Sequence, residues 1–171
     1  MPKGFSCPIG QSNLISTLSA VDRALVEPHL RPVKLHIGMT LEAPEAPIEL
    51  IYFPRSGVGS TVAFSKNGRR IETGLFGYEG MSGTATILQT AHTSHETFMQ
   101  VAGEGLVIEP DRLQDLMEQS PSFQRHLLRY VQVMMTQTSQ TALSNGQAKL
   151  EERLARWLLM CHDRINGNEM V

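Results

Sequence analysis

The sequence predicts a mainly β fold with α elements: an antiparallel roll flanked by short helices and followed by one long helix. Three observations carry that expectation. From Arg31 the apolar period changes from about 3.6 residues to 2, and short alternating runs then recur between turn residues every ~8–12 residues as far as Ile108. The strand–helix–strand alternation that builds parallel sheets is missing. After Pro121 no Gly or Pro occurs until Gly146, and apolar residues fall at spacings of three and four, which reads as one helix of about six turns.

Each element follows from local patterning. Met1–Ser12 has no periodicity and reads as a loose arm. Leu14, Leu18, Val21 and Leu25 share a helical face, and Ser19 with Asp22 forms a capping box for the turn running into Glu27-Pro28. Val33, Leu35 and Ile37 alternate with Lys34 and His36 as a first strand, broken by Gly38; Leu41 precedes the proline-containing loop Glu42–Pro47. Glu49–Phe53 and Gly57–Phe64 are the next strands, and Ser65-Lys66-Asn67-Gly68 is a hairpin turn returning through Arg69–Gly74. After the glycine-rich passage Gly74–Gly83, strands are expected at Thr84–Thr90, Glu96–Val101 and Gly105–Ile108. Leu113, Leu116 and Met117 mark a short helix, and Ser120 caps the long one opened by Pro121. Asn145-Gly146 reads as a break, followed by an amphipathic helix over Lys149–Ile165 with Leu150, Leu154, Trp157, Leu158, Cys161 and Ile165 as its stripe.

Composition narrows the function classes. A chain of 171 residues, 41% hydrophobic and 19% charged, accommodates one well-buried soluble domain plus an appendage. A net charge of −2 argues against a free-standing nucleic-acid binder. With only Cys7 and Cys161, a disulfide framework, a four-cysteine zinc site and a four-cysteine iron–sulfur cluster are excluded. No apolar run approaches membrane-spanning length and no leader pattern opens the chain, so a cytoplasmic protein without a membrane partner is expected.

Along the long helix the residues Leu127, Leu128, Val131, Met134, Met135, Thr138 and Ala142 form a seam that is methionine-rich and then small or polar, suited to packing against a copy of itself. A core helix of one domain is the plainer alternative. The last helix meets little further chain on which to bury its stripe, which favours a domain continuing past Val171 over docking back on the roll.

Four stretches, in their order and spacing, resemble the Crp/Fnr family of bacterial transcription regulators: Leu35-His36-Ile37-Gly38-Met39-Thr40-Leu41, Tyr52-Phe53-Pro54-Arg55-Ser56-Gly57, Gly77-Tyr78-Glu79-Gly80-Met81 and Glu152–Leu159. The likeness covers nearly all of the chain from Leu14. It implies a jelly roll like a cyclic-nucleotide-binding domain, a long helix pairing two protomers, and a C-terminal winged helix-turn-helix that reads DNA. The expected division is then 1–30 as N-terminal arm and helices, 31–119 as the effector roll, 120–144 as the dimerisation helix and 147–171 as the first helix of a truncated DNA-binding domain. Asn145 and Gly146 would be a hinge, and Arg153 and Arg156 would contact DNA backbone or pair with Glu151, Glu152 or Asp163. Implied partners are a second copy, DNA, RNA polymerase and an unknown small effector, with no catalytic activity.

The same resemblance directs attention to Glu79, Gly80, Met81, Ser82, Gly83 and Ser94 as effector-site candidates. Cyclic-nucleotide-binding members carry an Arg that matches the buried phosphate, followed by Ser/Thr and Ala; here Thr93-Ser94-His95 stands at that place, so cyclic nucleotide is not expected to bind. A backbone nest at Gly80–Gly83 is an alternative anion site, against a plain role for these glycines in a sharp strand crossing. Haem ligation by His36, His92 or His95 is disfavoured because isolated strand histidines are more often surface or hydrogen-bonded residues. His92 and His95, three apart in an extended segment, point to opposite faces and do not form a metal pair. Lys66, Arg69, Arg70, Arg125 and Arg129 read as solvated charges. No cofactor and no metal is expected. The competing readings are a stand-alone small-molecule-binding or cupin-like metalloenzyme roll, and a ligand-free regulator controlled by abundance.

Overall fold

Two antiparallel sheets share one apolar interior, and a long helix closes their open side. The computed structural model describes residues 12–165; the expected N-terminal arm, apart from Ser12, and Cys7 lie outside the described residues. Short helices α1 (Asn13–Ser16) and α2 (Ala20–Val26) and a 3-10 turn at Glu27–His29 lead into β1 (Arg31–Leu35), β2 (Thr40–Glu42), β3 (Ile51–Pro54), β4 (Val58–Phe64) and β5 (Arg70–Phe76). Helix α3 (Thr84–Ile87), β6 (Glu96–Val101), β7 (Gly103–Ile108), α4 (Pro110–Gln119), α5 (Pro121–Gln147) and α6 (Leu150–His162) complete the chain. The sheets run β1-β7-β3 and β2-β6-β4-β5. Leu35, Leu41, Tyr52, Phe76, Met99 and Val107 fill the space between them. A second core joins Ile51, Phe53 and Ile108 of the three-stranded sheet to Leu113, Leu116, Phe123 and Leu127 of the helices. The Asn67-Gly68 hairpin forms, with Gly68 at φ +75° and its N–H donated to Ser65 O.

Four expectations are corrected. Thr84–Thr90 is not a strand: Gly83 at φ +73° turns the chain and Thr84–Ile87 forms a helical turn that buries Thr86 and Ile87. The β-branched run is overruled because Ile87 is buried in the helix-side core while β5 and β6 occupy the two sides of β4. Ile37 lies past the end of β1, in a turn made by Gly38 at φ +75°, and is exposed. The long helix does not stop at 144. It runs through Asn145 and Gly146, neither of which takes a positive φ, and ends at Gln147; the backbone becomes extended at Ala148 and Lys149. The mild helix penalty of about 1 kcal/mol for glycine is tolerable at an exposed helix end. The final helix splits its stripe: Cys161 is buried against Val58 and Leu75, with Trp157, Met160 and Ile165 beside it, whereas Leu150, Leu154, Leu158 and Leu159 are exposed.

The helices are fastened to one another by their caps. Ser19 Oγ accepts the Asp22 N–H at 3.1 Å, and Ser120 Oγ accepts the Phe123 N–H at 3.2 Å, as the sequence predicts. The Asp22 carboxylate in turn receives hydroxyl hydrogen bonds from Ser120 (2.5 Å), Ser19 (2.7 Å) and Ser122 (2.9 Å), tying the start of α2 to the start of α5.

Helix α5 is fastened to the roll by two reciprocal clamps. Tyr130 donates its hydroxyl to Met81 O (2.8 Å) and accepts from Met81 N–H (3.0 Å). Gln137 accepts from Leu75 N–H (2.7 Å) and donates to Leu75 O (3.0 Å), so its amide serves the free side of edge strand β5 as a neighbouring strand would. Gly80 makes the first clamp possible, since a Cβ there would stand 2.7 Å from the Tyr130 hydroxyl.

Three hydroxyl donors, Ser120 first, hold the Asp22 carboxyl below its ordinary value of 3.8. A depressed carboxylate supplies stability above the unfolded-state value and loses it as pH falls through the folded-state value. Asp22→Asn is therefore expected to lower the urea midpoint at neutral pH, with the difference from wild type closing on acidification below the usual carboxylate range. Tyr130→Phe strands both backbone groups of Met81 and is expected to cost about 1–3 kcal/mol in denaturant unfolding while the far-ultraviolet spectrum stays native.

Candidate functional site

A cavity of about 400 Å³ lies where the four-stranded sheet, the Gly77–Gly83 turn and α5 meet. Strands β2, β4, β5 and β6 contribute Glu42, Thr61, Thr73, Phe76 and Thr97. The turn and the start of α3 add Met81, Ser82 and Thr84, with Leu88 beyond; the loop before β6 adds Thr93 and His95. Helix α5 supplies Val131, Met134, Met135, Thr138 and Ser139. Hydroxyls and thioethers thus dominate the wall, with Glu42 and His95 as its ionisable side chains and no Lys or Arg.

Glu42 is the main feature that sequence reasoning missed. The β2–β6 register shifts between Thr40 and Glu42, and this irregularity turns both Leu41 and Glu42 inward. Strict alternation would have sent one of them to solvent, so a period-2 reading has no way to find the carboxylate. Its Oε1 accepts the Gly83 N–H at 2.9 Å. Burial raises the Glu42 carboxyl above its ordinary 4.5, opposed in part by the Gly83 N–H, the Thr97 hydroxyl and the charge of His95.

The proposed anion nest is not available. Gly80 N–H is donated to Gly77 O, Met81 N–H to the Tyr130 hydroxyl, Ser82 N–H to Tyr52 O and Gly83 N–H to Glu42. All four backbone donors of the turn are therefore engaged by protein acceptors, one of them already a carboxylate.

The six candidate effector residues separate. Met81 and Ser82 line the cavity and Gly83 adjoins it through Glu42. Gly80 packs beneath the Tyr130 hydroxyl. Glu79 points away: it receives Arg164 Nε at 2.6 Å and the Gly77 N–H at 3.1 Å, fastening the turn to the end of α6. Ser94 is exposed, while its neighbours Thr93 and His95 face the cavity.

The expected seam also separates. Leu127 is fully buried with Phe123 in the chain's own core, so it is not exposed to pair with a second copy as expected; Val131 is 7% exposed and Met134 packs against the same core. Leu128 is 40% and Met135 60% exposed, and Thr138 and Ala142 are exposed further along. Leu128, Val131, Met135, Thr138, Ala142 and Asn145 repeat at three and four, the spacing of a helix-pairing stripe. Val131, Met135 and Thr138 belong both to this stripe and to the cavity wall.

Arg153 is exposed, and Arg156 is half-buried with its charge acting on Glu72; among the described residues neither forms the expected pair with Glu151, Glu152 or Asp163. Arg70, expected to be solvated, pairs with Glu96 and lies 5.4 Å from the Phe64 ring centroid. His36 and His92 are exposed. Among the described residues no group of three or more His, Cys, Asp or Glu is arranged to hold a metal ion. No helix among them is long and apolar enough to cross a membrane.

A carboxyl with a raised folded-state value binds more protons in the native state across that interval, so its contribution to stability declines as pH rises from the ordinary 4.5 upward. Glu42→Gln keeps an oxygen for the Gly83 N–H and removes that penalty. The variant is expected to melt with wild type at acid pH and above it at pH 8, as followed by calorimetry.

No protein-family model and no curated protein matches this sequence. Among solved structures, the chain resembles a protein from Eubacterium rectale described as a Crp/Fnr-family transcriptional regulator (TM-score 0.71, 15% identity, 86% of this chain and 69% of that one). It also resembles the global regulator CLP of Xanthomonas campestris, described as responsive to c-di-GMP (TM-score 0.67, 18% identity, 82% and 71%). A third similar structure is a cyclic-nucleotide-binding domain from Methylobacillus flagellatus (TM-score 0.62, 12% identity, 78% and 77%). These likenesses establish the architecture: an antiparallel roll of the cyclic-nucleotide-binding-domain type followed by a long helix, the fold of Crp/Fnr regulators.

Proposed function

We propose that this chain is the effector-sensing and dimer-forming part of a Crp/Fnr-type transcription regulator, with no catalytic role and acting in the cytoplasm. The carrying observation is that α5 closes the cavity with one face and exposes Leu128, Met135 and Ala142 on the adjoining one, with Met135 and Thr138 belonging to both. An effector in the cavity touches the residues that set how two α5 helices pair, so binding biases the dimer geometry directly.

DNA is read by a winged helix-turn-helix that begins with α6, in which Arg153 and Arg156 approach phosphates, and RNA polymerase is the further partner. The joint between α5 and α6 is Ala148-Lys149, where the backbone is extended, in place of Asn145-Gly146. Cyclic nucleotide is not the effector: no Lys or Arg lines the cavity to match a phosphate, and a carboxylate occupies the Gly83 donor.

The protein is expected to sediment as a dimer at micromolar concentration. Leu128→Lys with Met135→Lys should yield a folded monomer, because both side chains are solvent-facing in the protomer. Chromatin immunoprecipitation of the native protein is expected to recover sites of near-twofold symmetry. A wild-type monomer, or recovery of chromosomal DNA without such sites, overturns the reading.

A further inference from the structure

We infer that the cavity takes a small organic cation, an amine or amidine nitrogen carried on a compact apolar body, with the nitrogen at Glu42 and the body against Met81, Met134 and Met135. The inference rests on the reading of this cavity as the effector site and specifies its ligand class.

Charge is the first ground. Glu42 is 8% exposed and lies on a wall without Lys or Arg. The other ionisable side chain there, His95, has Nδ1 3.3 Å from Thr93 Oγ1. His95 acts electrostatically on Glu42, but with no Lys or Arg on the wall the carboxylate has no permanent counter-charge, which favours a cation brought by the ligand and opposes an anion. A ligand phosphate or carboxylate would meet like charge and find the turn's N–H groups already used.

Hydrogen-bonding capacity is the second ground. The carboxylate accepts from Gly83 N–H and the Thr97 hydroxyl, and two oxygens carry about four acceptor positions, so places for ligand donors remain. Thr61 and Thr97, with hydroxyl oxygens 3.5 Å apart, stand on the same wall and add acceptors suited to an ammonium or amidinium group.

Shape and surface are the third. A volume of about 400 Å³ fits a small molecule. Three methionines supply a polarisable surface that adapts to an irregular or aromatic body, and Phe76 offers a ring to the same space. Met134 and Met135 are on α5, so the ligand's apolar end is the part read by the pairing helix, while its charged end is read by the roll.

Isothermal titration of the full-length protein at pH 8 tests this with 2-phenylethylamine as probe, against 3-phenylpropionate and 3′,5′-cyclic AMP. Saturable binding of the amine is expected, weakened about ten- to a hundredfold in Glu42→Gln, with no binding of either anion. Thr73→Phe, with Thr61→Phe as a replacement should it fail to fold, fills the cavity and should abolish amine binding. Anion binding that is lost in the filled variant overturns the cation assignment and leaves the cavity as effector site. Amine binding unchanged in the filled variant overturns both. Absence of amine binding, or equal affinity in Glu42→Gln, overturns the cation assignment.

Discussion

Two reciprocal hydrogen-bond clamps between α5 and the ends of one turn hold the arrangement on which the cavity depends. Tyr130 engages both backbone groups of Met81, and Gln137 both backbone groups of Leu75. Each such bond contributes only about 1 kcal/mol net, but leaving a buried backbone group unpaired costs about 1–3 kcal/mol. The pairing is therefore steep: α5 cannot slide or rotate against the roll without breaking bonds in pairs. Because Leu75 precedes the Gly77–Gly83 turn and Met81 lies within it, the helix is registered to the segment that borders the cavity.

The same turn is held from the opposite side by α6. Arg164 reaches Glu79, whose other oxygen accepts the Gly77 N–H, while Cys161 and Trp157 pack at Val58 and Leu75. Leu75 is thus touched by both helices, through its backbone by Gln137 and through its side chain by the α6 cluster. On the proposed reading, a displacement of the turn by an occupant of the cavity would reach both helices, the exposed stripe on α5 and α6. The extended backbone at Ala148-Lys149 would let the two responses differ, since no continuous helix couples them.

Much of the fold was legible because its signals are local. The change of period at Arg31, the Asn67-Gly68 turn, and the caps at Ser19 and Ser120 all report on short-range chemistry and all form. The site was legible only in part. Met81 and Ser82 could be placed from the glycine-rich turn, but Glu42 depends on an irregular register between β2 and β6 that no single-strand pattern encodes. Leu127 and Leu128 are neighbours with equal claims in the sequence, and only the position of the roll decides that Leu127 faces inward and Leu128 outward. Asn145-Gly146 misled for a related reason: it is strong turn chemistry where the chain has a reason to turn, and α5 gives it none until Ala148.

The electrostatics of the cavity follow from the same irregular register. A strand that turns two successive residues inward delivers a carboxylate where regular pairing would have delivered a methyl or a methylene, and the cost of burying it is met in part by the Gly83 N–H at the start of α3. That N–H is the donor an external anion would need. One substitution of geometry, a shifted register in place of a regular one, therefore both installs a negative group and withdraws a turn donor from outside use. The two consequences act in the same direction against an anion, so that exclusion does not depend on the exact ionisation of Glu42: as a carboxylate it repels anions, and as a neutral acid it still occupies the Gly83 N–H; the attraction of a cation requires the carboxylate form.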